Sequence, residues 1–114
     1  MSEKIAAFFE AWATADADAV RAAVTDPCYY ADPRAPKPIT EVDALIEYVG
    51  QYSQMAPGAT AQVVRTDEVQ GSLRLAVEFA MPGGQKQHGQ YFAEVDENGK
   101  ASRLVGFVGF GAPE

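Results

Sequence analysis

The sequence contains one cysteine, one histidine and one tryptophan among its 114 residues. The lone thiol, Cys28, rules out an internal disulfide, and a cytoplasmic setting fits that usage. Cys28 has no identifiable base and reads as a small buried apolar residue. One histidine, His88, cannot build a usual zinc or iron site, and no Cys or Glu stands at ligand spacing. No metal and no cofactor is therefore expected. Basic residues are scarce as well. Nine Lys and Arg against sixteen Asp and Glu leave a net charge of −7. Such a chain repels phosphate backbones, and no basic stripe with interleaved aromatics offsets that, so neither nucleic acid nor an anionic membrane surface is an expected partner. No run approaches the about 18 apolar residues of a membrane helix. Met1-Ser2-Glu3-Lys4 lacks the basic and apolar regions of a secretion signal. No Ser-His-Asp or Cys-His arrangement is supportable. Gly106, Gly109 and Gly111 are no nucleotide fingerprint, since no helix follows them, and bulges or close strand approach explain them better.

What is present is a globular pattern. Apolar residues make up 47% and charged residues 22% of the chain, which suits one packed domain over 1–114. Ile5, Phe8, Phe9 and Trp12 form an i, i+3, i+4, i+7 stripe, so a first helix is predicted there, with Ser2 able to cap it. Asp16 or Asp18 can cap a short second helix, with Val20, Ala23 and Val24 as its apolar face and Thr25-Asp26-Pro27 as its stop. Cys28 to Ala31 reads as a strand, ended by Asp32-Pro33. Pro33, Pro36 and Pro38 make the next stretch a stiff loop. Thr40 with Asp43 resembles a capping box for a third helix to about Gln54, whose apolar face carries Val42, Leu45, Ile46, Val49 and Tyr52.

The remainder reads as sheet. Thr60 to Val69 is a long strand. Leu73, Leu75, Val77, Phe79 and Met81 then alternate with Arg74, Ala76, Glu78 and Ala80. Gln87 to Val95 is a third long strand, Glu97-Asn98-Gly99-Lys100 a hairpin turn, and Ala101 to Phe110 the last strand. Helices gathered against an antiparallel meander give an α+β architecture, and a curved sheet under three helices leaves a conical interior for a ligand.

This layout resembles the NTF2-like superfamily, in particular its SnoaL-like polyketide cyclase and ketosteroid isomerase-like members. The resemblance runs through Phe9 to Trp12 with Ala15-Asp16-Ala17-Asp18-Ala19-Val20, Tyr30-Ala31-Asp32-Pro33, Tyr91 to Val95 with its hairpin, and Arg103 to Phe110. It covers nearly the whole chain, and such folds host unrelated functions. It implies a general base at Asp32, where the isomerases carry theirs. It aligns Phe8 with an oxyanion-donor tyrosine, which argues against authentic steroid isomerisation. It places Tyr91, a phenol, at the second donor position.

Period two puts Cys28, Tyr30 and Asp32 on one side of the strand. A carboxylate in an apolar cone would gain proton affinity by desolvation, which suits a base; a plain Asp-Pro turn is the competing reading. Tyr91 is either an oxyanion donor or a core tyrosine. His88, opposite Tyr91 by alternation, reads as a surface or interface residue. Trp12, Tyr30, Tyr48, Tyr52, Met55, Phe79, Val108 and Phe110 are expected to line the cone, as a pocket for a small hydrophobic molecule or as ordinary core. Phe92, Val105 and Phe107 leave an apolar outer sheet face, which predicts a homodimer. Three functions follow: a cofactor-free isomerase, cyclase or dehydratase acting on a small apolar carbonyl compound, a non-catalytic binding module, or an interaction domain.

Overall fold

The computed structural model describes residues 3–109. It has three helices, α1 (Glu3–Glu10), α2 (Ala17–Ala23) and α3 (Val42–Met55), and five strands, β1 (Val24–Ala31), β2 (Thr60–Val69), β3 (Ser72–Ala80), β4 (Lys86–Val95) and β5 (Ala101–Val108). The sheet order is β1-β5-β4-β3-β2. Strands β2 to β5 form the expected antiparallel meander, and β1 joins its far edge parallel to β5.

The meander follows from alternation. Leu73, Leu75, Val77 and Phe79 are buried, whereas the residues between them are at least partly open. Registration pairs Leu75 with Tyr91 and Tyr91 with Gly106, so one inward row crosses three strands. Gly106 is glycine for a visible reason. A Cβ there would sit 2.4 Å from the Tyr91 ring. The close approach expected of this glycine is what lets the phenol lie flat across β5.

The helices depart from the sequence reading at their ends. The first stops at Glu10, and Trp12 follows in a turn, yet its ring remains 2% exposed. Tertiary packing, rather than helical register, holds the end of the stripe. Asp16 caps α2, its carboxylate accepting from Ala19 N. Val24, read as part of that helix, instead opens β1, which runs through Thr25-Asp26-Pro27 with a register irregularity rather than starting at Cys28. The Thr40–Asp43 capping box does not form. Glu41 is the N-cap of α3, without a side-chain cap bond, because Thr40 is drawn into the loop's return onto β1. The last strand ends at Val108; Ser2, Phe110 and Gly111 lie outside the described residues.

An aromatic cluster fills the space between helices and sheet. Phe8, Phe9, Trp12 and Tyr30 are almost wholly buried. Phe9 meets Tyr91 edge-on at 4.7 Å between centroids, and Trp12 meets Tyr52 edge-on at 4.9 Å. Each such pair adds about 0.5–1.5 kcal/mol beyond its burial.

Candidate functional site

The site is built around the end of β1. After Ala31 the chain turns at Asp32-Pro33 and doubles back, so that Ile39 and Tyr30 exchange backbone hydrogen bonds at 2.8 and 2.9 Å. Asp32 makes this turn. Its Oδ1 accepts from Arg34 N at 2.8 Å and Ala35 N at 2.9 Å, the backbone pattern of an Asp-Pro turn. The same carboxylate faces inward. Tyr30 Oη donates to Oδ2, and Tyr48 Oη, from α3, donates to Oδ1 at 2.8 Å and Oδ2 at 2.9 Å. Asp32 is thus a turn residue that also presents its carboxylate to the Tyr30 and Tyr48 phenols. Its surroundings differ from the expected apolar wall, since two phenols and two backbone N–H groups converge on it.

Tyr91 stands beside this network, close enough to feel the charge of Asp32. A phenol has one proton, and those of Tyr30 and Tyr48 are committed to Asp32. Burial pushes the Tyr30, Tyr48 and Tyr91 phenols above the ordinary tyrosine range. For Tyr48 the hydrogen bond to Asp32 adds to this, and for Tyr91 the charge of Asp32 does. All three are therefore neutral donors at physiological pH. Burial likewise raises the Cys28 thiol, which keeps it a thiol.

A cavity of about 480 Å³ opens beside this network, bounded by Trp12, Asp32, Phe79, Gly89 and Tyr91, with Arg34 at its mouth. A second, of about 510 Å³, lies on the α3 side among Tyr48, Tyr52, Met55 and Met81. Arg34 and Gln87 border both, and the Arg34 guanidinium donates to Gln87 Oε1 at 3.0 Å. Arg34 also lies over the Tyr52 ring, 5.3 Å from its centroid.

The ten residues singled out from sequence are thus divided. Asp32, Tyr91, Trp12 and Phe79 meet at the first cavity. Tyr30 lies behind it, wholly buried, and donates to Asp32. Tyr48 and Tyr52 face the second cavity, Tyr48 reaching Asp32 from there. Met55 and Val108 are 84% and 81% exposed, so they stand on rims of the second and first cavity rather than in a lining. Phe110 lies outside the described residues. His88 is exposed, as expected, and borders the mouth of the first cavity. Arg34 and Gln87 were not singled out. Gln87 could have been, because it shares period two with Gly89 and Tyr91. Nothing in the spacing marks Arg34, which the turn at Asp32 carries to the mouth.

Two buried polar atoms have no hydrogen-bond partner among the described residues: Trp12 Nε1 and Tyr52 Oη. No group of three or more His, Cys, Asp or Glu among the described residues could hold a metal ion. No described helix is long and apolar enough to cross a membrane.

The family follows from comparison. The model of the SnoaL-like domain matches residues 5–107. The chain belongs to the SnoaL-like family. No curated protein sequence matches it. Solved structures do. A proposed isomerase of the SnoaL-like family from Agrobacterium tumefaciens superposes with a TM-score of 0.79 at 17% identity, covering 93% of this chain and 94% of its own. A protein from Catenulispora acidiphila with a ketosteroid isomerase-like fold, in complex with trimethylamine, gives 0.79 at 9% identity over 95% and 86%. A proposed polyketide cyclase from Sinorhizobium meliloti gives 0.76 at 14% identity over 94% and 95%. At these identities the likeness is one of fold, and this SnoaL-like chain has the NTF2-like, ketosteroid isomerase-type architecture.

Proposed function

We propose that this SnoaL-like domain holds a small, largely apolar carbonyl compound in the cavity beside Asp32 and moves a proton on it without a cofactor, with Asp32 as the base. The observation that carries this reading is the Asp32 carboxylate itself. It stands at the wall of a cavity that Trp12, Phe79 and Tyr91 share with Arg34, Lys86 and Gln87, and is fixed there by the Tyr30 and Tyr48 phenols and by two backbone N–H groups. Such fixing places a base without further reorganisation. Tyr48 shares its one proton between both carboxylate oxygens. Drawing it wholly onto Oδ1 frees a lone pair on Oδ2 for a substrate proton. Isomerisation, cyclisation and dehydration all begin with such a transfer.

Proton exchange tests this without knowledge of the natural substrate. The wild-type chain should speed deuterium uptake at the carbon next to the carbonyl of 1-indanone in D2O, followed by NMR. Asp32→Asn should lower that rate by about 10²–10⁴. Binding of 1-indanone without exchange favours the second reading, a non-catalytic binding module. The saturation of Asp32 by four donors speaks for that alternative.

A homodimer through the outer sheet face belongs to the same proposal. Phe92 and Phe107 are 44% and 55% exposed, pack edge-on at 5.8 Å and flank Val105. A second copy is the occupant that suits one self-complementary apolar patch. Phe107→Glu should give a folded monomer by light scattering, and a variant that stays dimeric would move the seam elsewhere. A cytoplasmic setting is supported by the buried free thiol of Cys28.

A further inference from the structure

The mouth of the cavity beside Asp32 gathers positive charge in a chain that is negative overall. Arg34, Lys86 and His88 border it, and Asp32 is the one acidic residue among its described neighbours, although the chain carries a net charge of −7. Lys86 already has a partner, its ammonium standing 2.9 Å from Glu78 Oε1. Arg34 forms no ion pair among the described residues. Its guanidinium is held by two neutral groups instead, Gln87 Oε1 at 3.0 Å and the face of the Tyr52 ring at 5.3 Å. The turn fixes the other end of the residue, because Arg34 N donates to the Asp32 carboxylate. One cation is thus seated at the rim from both ends with no anion to balance it. Its charge reaches inward, working against burial at the Tyr48 and Tyr91 phenols.

The contact with Gln87 also settles which way that amide points. A guanidinium has only donors, so it meets the amide oxygen, and the Gln87 NH2 is left for another acceptor. The fork of Arg34 and this NH2 together suit a planar group with two oxygens and one negative charge, which is a carboxylate. A dianion such as a phosphate monoester suits them less, because Asp32 lies two residues away and repels a second charge.

We propose that Arg34, with Gln87, binds a carboxylate at this rim, so that the ligand class is an apolar oxo acid whose carbonyl-bearing body enters the cavity beside Asp32. The inference rests on the binding reading above and names its ligand class. Arg34 is a specificity-determining residue and takes no part in the proton transfer. A carboxylate anchored outside the reacting centre holds the body in register with the Asp32 base.

The full chain is titrated with 3-oxo-1-indanecarboxylic acid and with its carboxamide, which keeps the ring, the ketone and the size of the side group and removes the charge. The backbone amides of Gly89 and Tyr91 report occupancy of the cavity in a ¹⁵N–¹H spectrum at low ionic strength. The acid should bind about tenfold more tightly than the carboxamide, the worth of one charge-assisted pair, and the ratio should shrink as salt is added. Arg34→Gln should bring that ratio to about one, since it removes the only charge offered to the carboxylate. Gln87→Glu should do the same, because it gives the guanidinium a carboxylate of the chain's own. A wild-type ratio of one, with both compounds moving the amides, overturns the assignment and leaves the Asp32 reading standing. A preference for the acid that survives either substitution does so too. Failure of both compounds to move the amides sinks the binding reading and this assignment together.

Discussion

The two sides of the interior use aromatic residues in opposite ways. Around Asp32, Tyr30 and Tyr48 are held by hydrogen bonds, each phenol proton given to the carboxylate. Beside them Trp12 and Tyr52 are packed as tightly by their rings, yet their polar atoms find no hydrogen-bond partner among the described residues. The first side stores its polarity in internal bonds and is rigid for that reason. The second leaves donors unspent at a cost in stability. The difference teaches that a count of hydroxyls around a cavity is a poor guide to what a ligand would meet. What matters is which protons are still available.

The strongest way to break the comparison acts on the bonded side through backbone. Gly106→Ala places a methyl against the Tyr91 ring, where the Cβ would lie 2.4 Å away. The ring must leave its seat on β5. A loss of about 1–3 kcal/mol is expected from urea unfolding, in line with other overpacked cores. An unchanged midpoint would mean that Tyr91 is not seated there.

A smaller effect should appear with pH. The raised phenols of Tyr30, Tyr48 and Tyr91 keep their protons longer in the folded chain than in the unfolded one. Their contribution is complete below the unfolded value of about 10 and is lost as pH rises through the higher folded values. Urea midpoints should therefore decline slightly from about pH 8.5 as the raised Cys28 thiol begins to cost stability, and fall more steeply above about pH 10. Tyr30→Phe should lower the plateau by about 1–3 kcal/mol, because Asp32 loses a buried donor, and should also make the alkaline fall shallower. A slope unaltered by Tyr30→Phe would show that this phenol does not govern the alkaline limb.

Much of this was legible in the sequence. The alternation from Leu73 to Phe79, the stripe through Ile5, Phe8 and Phe9, and the stop at Asp32-Pro33 are local patterns, and each kept its place in the structure. So did Asp16 as a cap. Errors came where a local signal competed with a distant one. Val24 suited a helix but pairs with Ala101, and Thr40 suited a cap but its carbonyl accepts from Cys28. Asp32 was legible as a residue facing inward. Its four donors were not, since Tyr48 stands 16 positions away on another element.

The sequence by itself determined the α+β pattern, the inward and outward faces of the long strands, and the presence of one carboxylate at the end of the first strand. These depend on periodicity and turn chemistry, which act over a few residues. The parallel seating of β1 beside β5 was decided by tertiary structure, and so was the convergence of Tyr30 and Tyr48 on Asp32. A hydrogen bond between distant side chains exists only when the whole fold brings donor and acceptor within about 3 Å. No residue pattern along the chain specifies that distance, and it is what gives the Asp32 carboxylate its two phenols.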